Sequence, residues 1–135
     1  GLIVAKNNAN FTFSAAGPIV LTNVTHQQGG MTYNTTSGGF NLLAGRTYRI
    51  QFQGAFQGNG RVEYRLTRVD NGDFLSTNFG LTNGNASAAQ QRGAGTYVTY
   101  YTPTTNVAAK MSISAYAPGA MVLLAYTGVL EIQEL

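Results

Sequence analysis

Arg46-Thr47-Tyr48-Arg49-Ile50-Gln51-Phe52-Gln53-Gly54-Ala55-Phe56 is the most informative stretch of this sequence. Tyr48, Ile50, Phe52 and Phe56 fall on one side of an extended chain, and Arg49, Gln51 and Gln53 fall on the other. That period of two is what a half-buried β-strand requires. Gly58-Asn59-Gly60 then turns the chain into a second alternating strand. There Val62, Tyr64 and Leu66 point inward, and Arg61, Glu63, Arg65 and Thr67 point outward. Asp70-Asn71-Gly72-Asp73 predicts a hairpin, because Asn-Gly tolerates the positive φ of a type I′ turn.

Outward from this pair the same texture continues. Ile19, Leu21 and Val24 lie in a short extended segment after Pro18, and Met31 and Tyr33 start another. A turn at 35–39 precedes Phe40 and Leu42, and Ala44-Gly45 leads into the long strand. Phe74 to Leu81 is expected to return as a strand. Thr82 to Gly95 has no apolar period and reads as an exposed loop. Tyr97–Thr102, Val107–Ala117 and Met121–Leu135 complete the set, the last bent or bulged at Gly128. With 135 residues the chain makes one domain, 1–135, of eight to ten short strands and no helix. An all-β antiparallel jelly-roll sandwich fits best, with an open oligonucleotide-binding type of barrel second.

Composition narrows the function. Only 10% of residues are charged, against the usual ≈25%, and polarity comes from 12 Asn, 8 Gln and 16 Thr. The absence of cysteine excludes disulfides, zinc-cysteine sites and cysteine nucleophiles. A net charge of +3 is too mild to imply a polyanion partner, and the longest apolar runs fall far short of the about 20 residues that span a bilayer. Gly1 in place of Met points to a C-terminal fragment of a longer chain. Met121 to Tyr126 is apolar on both faces of a strand, so both faces must be covered. The N-terminal arm Gly1–Val4 is one cover, and a partner subunit is the other.

Several of these residues resemble a known family. Gly39-Phe40-Asn41-Leu42-Leu43-Ala44-Gly45-Arg46-Thr47-Tyr48-Arg49-Ile50 is similar to the complement C1q/tumour-necrosis-factor-like (TNF-like) signature of a Gly-Phe strand, a Gly turn and an aromatic-bearing strand. Tyr126-Thr127-Gly128-Val129-Leu130 resembles the motif that closes such domains, and the likeness spans roughly residues 31–135. The Asn/Gln/Thr/Gly-rich texture is similar to phage and bacterial versions of the fold. Among those it resembles the trimeric heads of virion spike, fibre or decoration proteins, such as vertex spikes of tailless membrane-containing phages. The resemblance implies a homotrimer with the last strand's neighbourhood on the three-fold axis. Met121, Leu123, Leu124 and Tyr126 are then the interface candidates.

Chemistry is poorly served. His26 lies in the polar stretch His26-Gln27-Gln28-Gly29-Gly30, read as a surface turn, and no nucleophile elbow exists. Glu63 sits between Arg61 and Arg65 as part of a charge ladder, and Glu131 and Glu134 fall on opposite faces of a strand. Asp70 and Asp73 are turn formers without an EF-hand pattern, so no metal site is assigned. Arg46, Arg49, Arg61, Arg65 and Arg68 cluster beside Tyr48 and Tyr64, as on a nucleic-acid stacking platform, but both tyrosines lie on core faces. Four matches to the glycosylation sequon are expected by chance in so Asn/Thr-rich a chain.

The expectation is a non-enzymatic trimeric head on a virion surface, structural and a candidate for host attachment. It has no cofactor, no nucleic-acid partner and no membrane partner. Its partners are its own copies, a host-cell receptor or glycan, and other virion proteins reached through an N-terminal part. Asn83, Asn85, Gln90, Gln91 and Arg92 are the receptor-binding candidates, because amides both donate to and accept from sugar hydroxyls. The alternatives are the head of a bacterial collagen-like surface protein and a soluble glycan-binding lectin.

Overall fold

The structure, a computed structural model, describes residues 1–13, 17–58, 61–75, 80–83, 92–115 and 121–135. Its strands are β1 (Leu2–Lys6), β2 (Phe11–Phe13), β3 (Gly17–Pro18), β4 (Asn23–Gln28), β5 (Gly39–Leu42), β6 (Tyr48–Gly58), β7 (Arg61–Arg68), β8 (Gly80–Asn83), β9 (Arg92–Tyr101), β10 (Val107–Ala115), β11 (Met121–Leu123) and β12 (Val129–Glu134). All pairings between them are antiparallel, and they form two sheets.

The alternating stretch first quoted becomes β6, the spine of the first sheet. Along one edge β9 pairs with it from Tyr48↔Tyr101 to Gln57↔Arg92. Along the other edge β12 and β11 lie end to end, β12 against Tyr48–Gln53 and β11 against Phe56–Gly58. The next row is interrupted in the same way, with β1 on β12 and β2 on β11, and β4 closes the far edge. Chain start and chain end therefore meet: Leu2 pairs with Gln133, and the Glu134 N–H donates to the Gly1 carbonyl at 2.9 Å. In the second sheet β10 holds β5 and β3 on one edge and β7 on the other, and β8 pairs beyond β7.

The inward faces meet in one core. Tyr48, Ile50, Phe52 and Phe56 are all buried, as their period requires, and they face Phe40, Leu42, Tyr64, Leu66 and Met111 of the second sheet. Tyr64 links the layers, with ring centroids 5.2 Å from Phe52 and 5.0 Å from Tyr97. Tyr48 and Tyr64 are thus core residues. Ile19, Leu21, Met31 and Tyr33 close the core from segments that are extended but mostly unpaired.

Several local expectations change. Met121–Leu135 is not one bent strand: residues 124–128 leave the ladder between β11 and β12. The apolar run at 121–126 is therefore not a two-faced strand, and Gly1–Val4 lies beside β12 in the sheet instead of over it. Phe74 makes only a single bridge to Thr67, and pairing with β7 appears again at Gly80. Arg92–Gly95 belongs to β9, because bare glycines there pair with Phe56 and Gly54 through backbone alone. His26 lies in β4 opposite Val4, and the turn comes at Gly29-Gly30. Thr67 is buried rather than outward-exposed, its hydroxyl 2.7 Å from that of Ser112. The hairpin after β7 is not type I′, since Gly72 has positive φ (73°) and Asn71 does not. There the Gly72 N–H donates to the Arg68 carbonyl at 3.0 Å and the Arg68 N–H to Asp73 at 2.9 Å, so the loop holds four residues.

Candidate self-association face

The outer face of the first sheet is built by registers that bring outward residues into rows. One row runs His26, Val4, Glu131, Gln51, Val98, and the next runs Gln28, Leu2, Gln133, Arg49, Tyr100. A third holds Lys6, Val129, Gln53 and Thr96. In an antiparallel sheet with one wet face, such rows read polar throughout. Here they do not. Tyr100 is 63% exposed and Val98 38%, while Leu2, Val4 and Val129 are half-buried.

Charge on this face is sparse, and Arg49 and Glu131 face each other across it. Arg49 lies 3.8 Å from Glu131 and donates to Gln51 Oε1 at 2.6 Å. At the end of the face Arg46 pairs with Glu134. That contact raises the Arg46 pKa, chiefly through its hydrogen bond to Glu134. The two glutamates thus serve separate arginines and form no carboxylate pair. Among the described residues no group of three His, Cys, Asp or Glu side chains could hold a metal ion.

The interface candidates separate. Leu123 is wholly buried in the single chain, so it belongs to the core and presents nothing to a partner. Leu124 is half-buried and Tyr126 is 78% exposed. Asn85, Gln90 and Gln91 lie outside the described residues, as do the side chains of Asn83, Arg92 and Met121; Asn83 and Arg92 end β8 and start β9. Sequence reasoning missed Val98 and Tyr100. Their signal was present in Tyr97-Val98-Thr99-Tyr100-Tyr101, which is apolar on both faces, with Tyr97 and Tyr101 packed on the core and Val98 and Tyr100 outward.

Comparison with solved structures places the architecture. Murine APRIL superposes with a TM-score of 0.64 at 10% identity, over 99% of this chain and 98% of its own. Eiger TNF from S. frugiperda superposes with a TM-score of 0.63 at 9% identity, over 99% and 91%. The fold is a TNF-like jelly roll. No family model matches the sequence, and no curated protein matches it. The likeness to TNF-like domains is thus one of backbone, carried by sequences that share about a tenth of their residues with this one.

Proposed function

We propose that this chain is a non-enzymatic TNF-like head that assembles as a homotrimer on a virion surface, as the head of a spike or fibre. The observation that carries the reading is the outer face of the first sheet, where Val98 and Tyr100 stand exposed on β9 at one edge and half-buried Leu2, Val4 and Val129 lie across β6 on β1 and β12. Val98 and Tyr100, two positions apart on one face of β9, form an exposed apolar pair, and covering apolar area gains roughly 25 cal/mol per Å². A second copy is the favoured cover, because most soluble oligomers are built from identical chains closed by symmetry. The count of three follows the C1q/TNF-like resemblance. Placement on a virion follows the amide-rich, cysteine-free texture shared with phage heads.

Sedimentation equilibrium at micromolar concentration tests the assembly, with three times the 14.3 kDa chain mass expected. Tyr100→Lys, at an exposed position, should leave the fold intact by circular dichroism and give a monomer. A wild-type chain that stays monomeric overturns the reading.

A further inference from the structure

The interruption at residues 124–128 is more tightly held than a simple bulge. All five of its backbone N–H groups are bonded. Leu124 donates to Ala55 O at 2.9 Å, Ala125 to Asn10 Oδ1 at 2.8 Å, Tyr126 to Asn7 O at 3.0 Å, Thr127 to Leu124 O at 3.3 Å, and Gly128 to Asn7 Oδ1 at 2.8 Å. Three of the five acceptors come from the facing interruption between β1 and β2. Asn7 is only 3% exposed, and its Nδ2 donates both hydrogens, to Leu124 O at 2.9 Å and Ala9 O at 3.0 Å. A Cβ at Gly128 would come within 2.9 Å of Asn7 Oδ1 and of Leu123, so the two interruptions fit with no slack.

At the head of this frame Tyr126 sits at φ 65°, the one non-glycine residue with positive φ among the described residues. Its side chain is also the most exposed of the large apolar ones described. Glycine would adopt the same backbone without strain, and a ring left in water adds little to the core. Backbone strain persists only where surrounding bonds over-determine it, and it concentrates at functional positions. Lys6, the last residue before the first interruption, and Val129, the first after the second, are paired with each other and belong to the outer face. Tyr126, three residues before Val129 and bonded through its N–H to the residue after Lys6, therefore lies near that row of the outer face. Tyrosine suits such a place, being large, apolar on its faces and polar at its tip.

We propose that Tyr126 is an anchor for a second copy of this chain, and that Asn7 is the positioning residue that holds it in the left-handed conformation. The partner rests on the trimer reading above. Sedimentation equilibrium and thermal melting of wild type, Tyr126→Gly, Asn7→Asp and the double variant test it. Tyr126→Gly relieves the backbone, so it should melt no lower than wild type at monomeric dilution, yet associate at least about tenfold more weakly. Asn7→Asp loses both amide donors. It should weaken association by a similar factor in the wild-type background and by less than about twofold in the Tyr126→Gly background. If Asn7→Asp does not fold, Asn7→Ser takes its place. Wild-type association by Tyr126→Gly overturns the anchor while the trimer stands. Equal effects of the Asn7 change in both backgrounds overturn the positioning role. A monomeric wild type instead sinks the trimer reading, and the proposed partner with it.

Discussion

Gly72 turns the chain through φ 73° in open space, with nothing within 4 Å of the position a Cβ would take. Any loss on substitution there is a backbone effect alone. Gly72→Val should cost about 1–2 kcal/mol, the penalty an L-residue meets in the left-handed region. Urea unfolding measures it, and an unchanged midpoint would show that the loop simply rearranges. The need for a glycine here is legible in Asp70-Asn71-Gly72-Asp73, but the turn type is not. Side chains widen the loop: Asn71 Oδ1 accepts from the Asp73 N–H at 2.9 Å, and Arg68 forks onto Asp70 with two bonds of 3.0 Å. The Arg68 guanidinium also holds the Asp70 carboxyl below its ordinary range. Tyr126 is the opposite case. Nothing in its neighbours along the chain marks a tyrosine for positive φ, because the acceptors that fix it lie more than a hundred residues away.

Between residue and sheet stand the two mostly unpaired segments that cap the core, 19–21 and 31–33. The Tyr33 hydroxyl accepts from the Leu21 N–H at 3.0 Å, and its own N–H donates to Gln27 Oε1 at 2.9 Å. Burial raises the Tyr33 pKa, against a smaller opposite pull from the Leu21 N–H. Tyr33→Phe leaves that N–H buried without its acceptor and should cost about 1–2 kcal/mol near neutral pH, read by urea unfolding. The sign at high pH follows from the raised value. The folded state holds the proton more tightly, so the contribution is whole below the unfolded pKa and fades as pH climbs through the folded one. The gap between wild type and Tyr33→Phe should therefore narrow above about pH 10. A constant gap would mean that the hydroxyl is not shielded. β6 was legible at this scale because one wet and one dry face write a clean alternation. β9 was half legible. Its glycine-rich start, Gly93-Ala94-Gly95, has no side-chain pattern to read, and its apolar outward residues look like core until the register places them.

Taken whole, the two-layer jelly roll follows from the count of alternating segments and turns, and that part of the sequence is transparent. Which outward face carries apolar residues among its polar ones is not, because it depends on pairing partners as far apart as Leu2 and Gln133. A trimeric head presents three copies of any weak site, and the gain from linkage can reach 10² or more. On the proposed reading of a trimeric virion head, the wild-type chain should therefore compete with whole virions for host cells at far lower concentration than the Tyr100→Lys variant. Deleting residues 84–91, which join β8 to β9, should remove that competition if the amide-rich segment binds the receptor. A deletion variant that still competes moves the site elsewhere on the head, and a trimer that never competes is a structural cap.

The meeting of chain start and chain end has a mechanical meaning. Gly1 and Leu135 leave the first sheet at the same pole, on adjacent antiparallel strands. A force that pulls the two ends apart would load the bonds between β1 and β12 one at a time, from Glu134 N–H···O Gly1 inward, like a zip. The same strands pulled lengthwise would share the load across the whole ladder. Handled by both ends this domain peels easily; held by one end, with traction entering through its surface, it does not offer that weak direction.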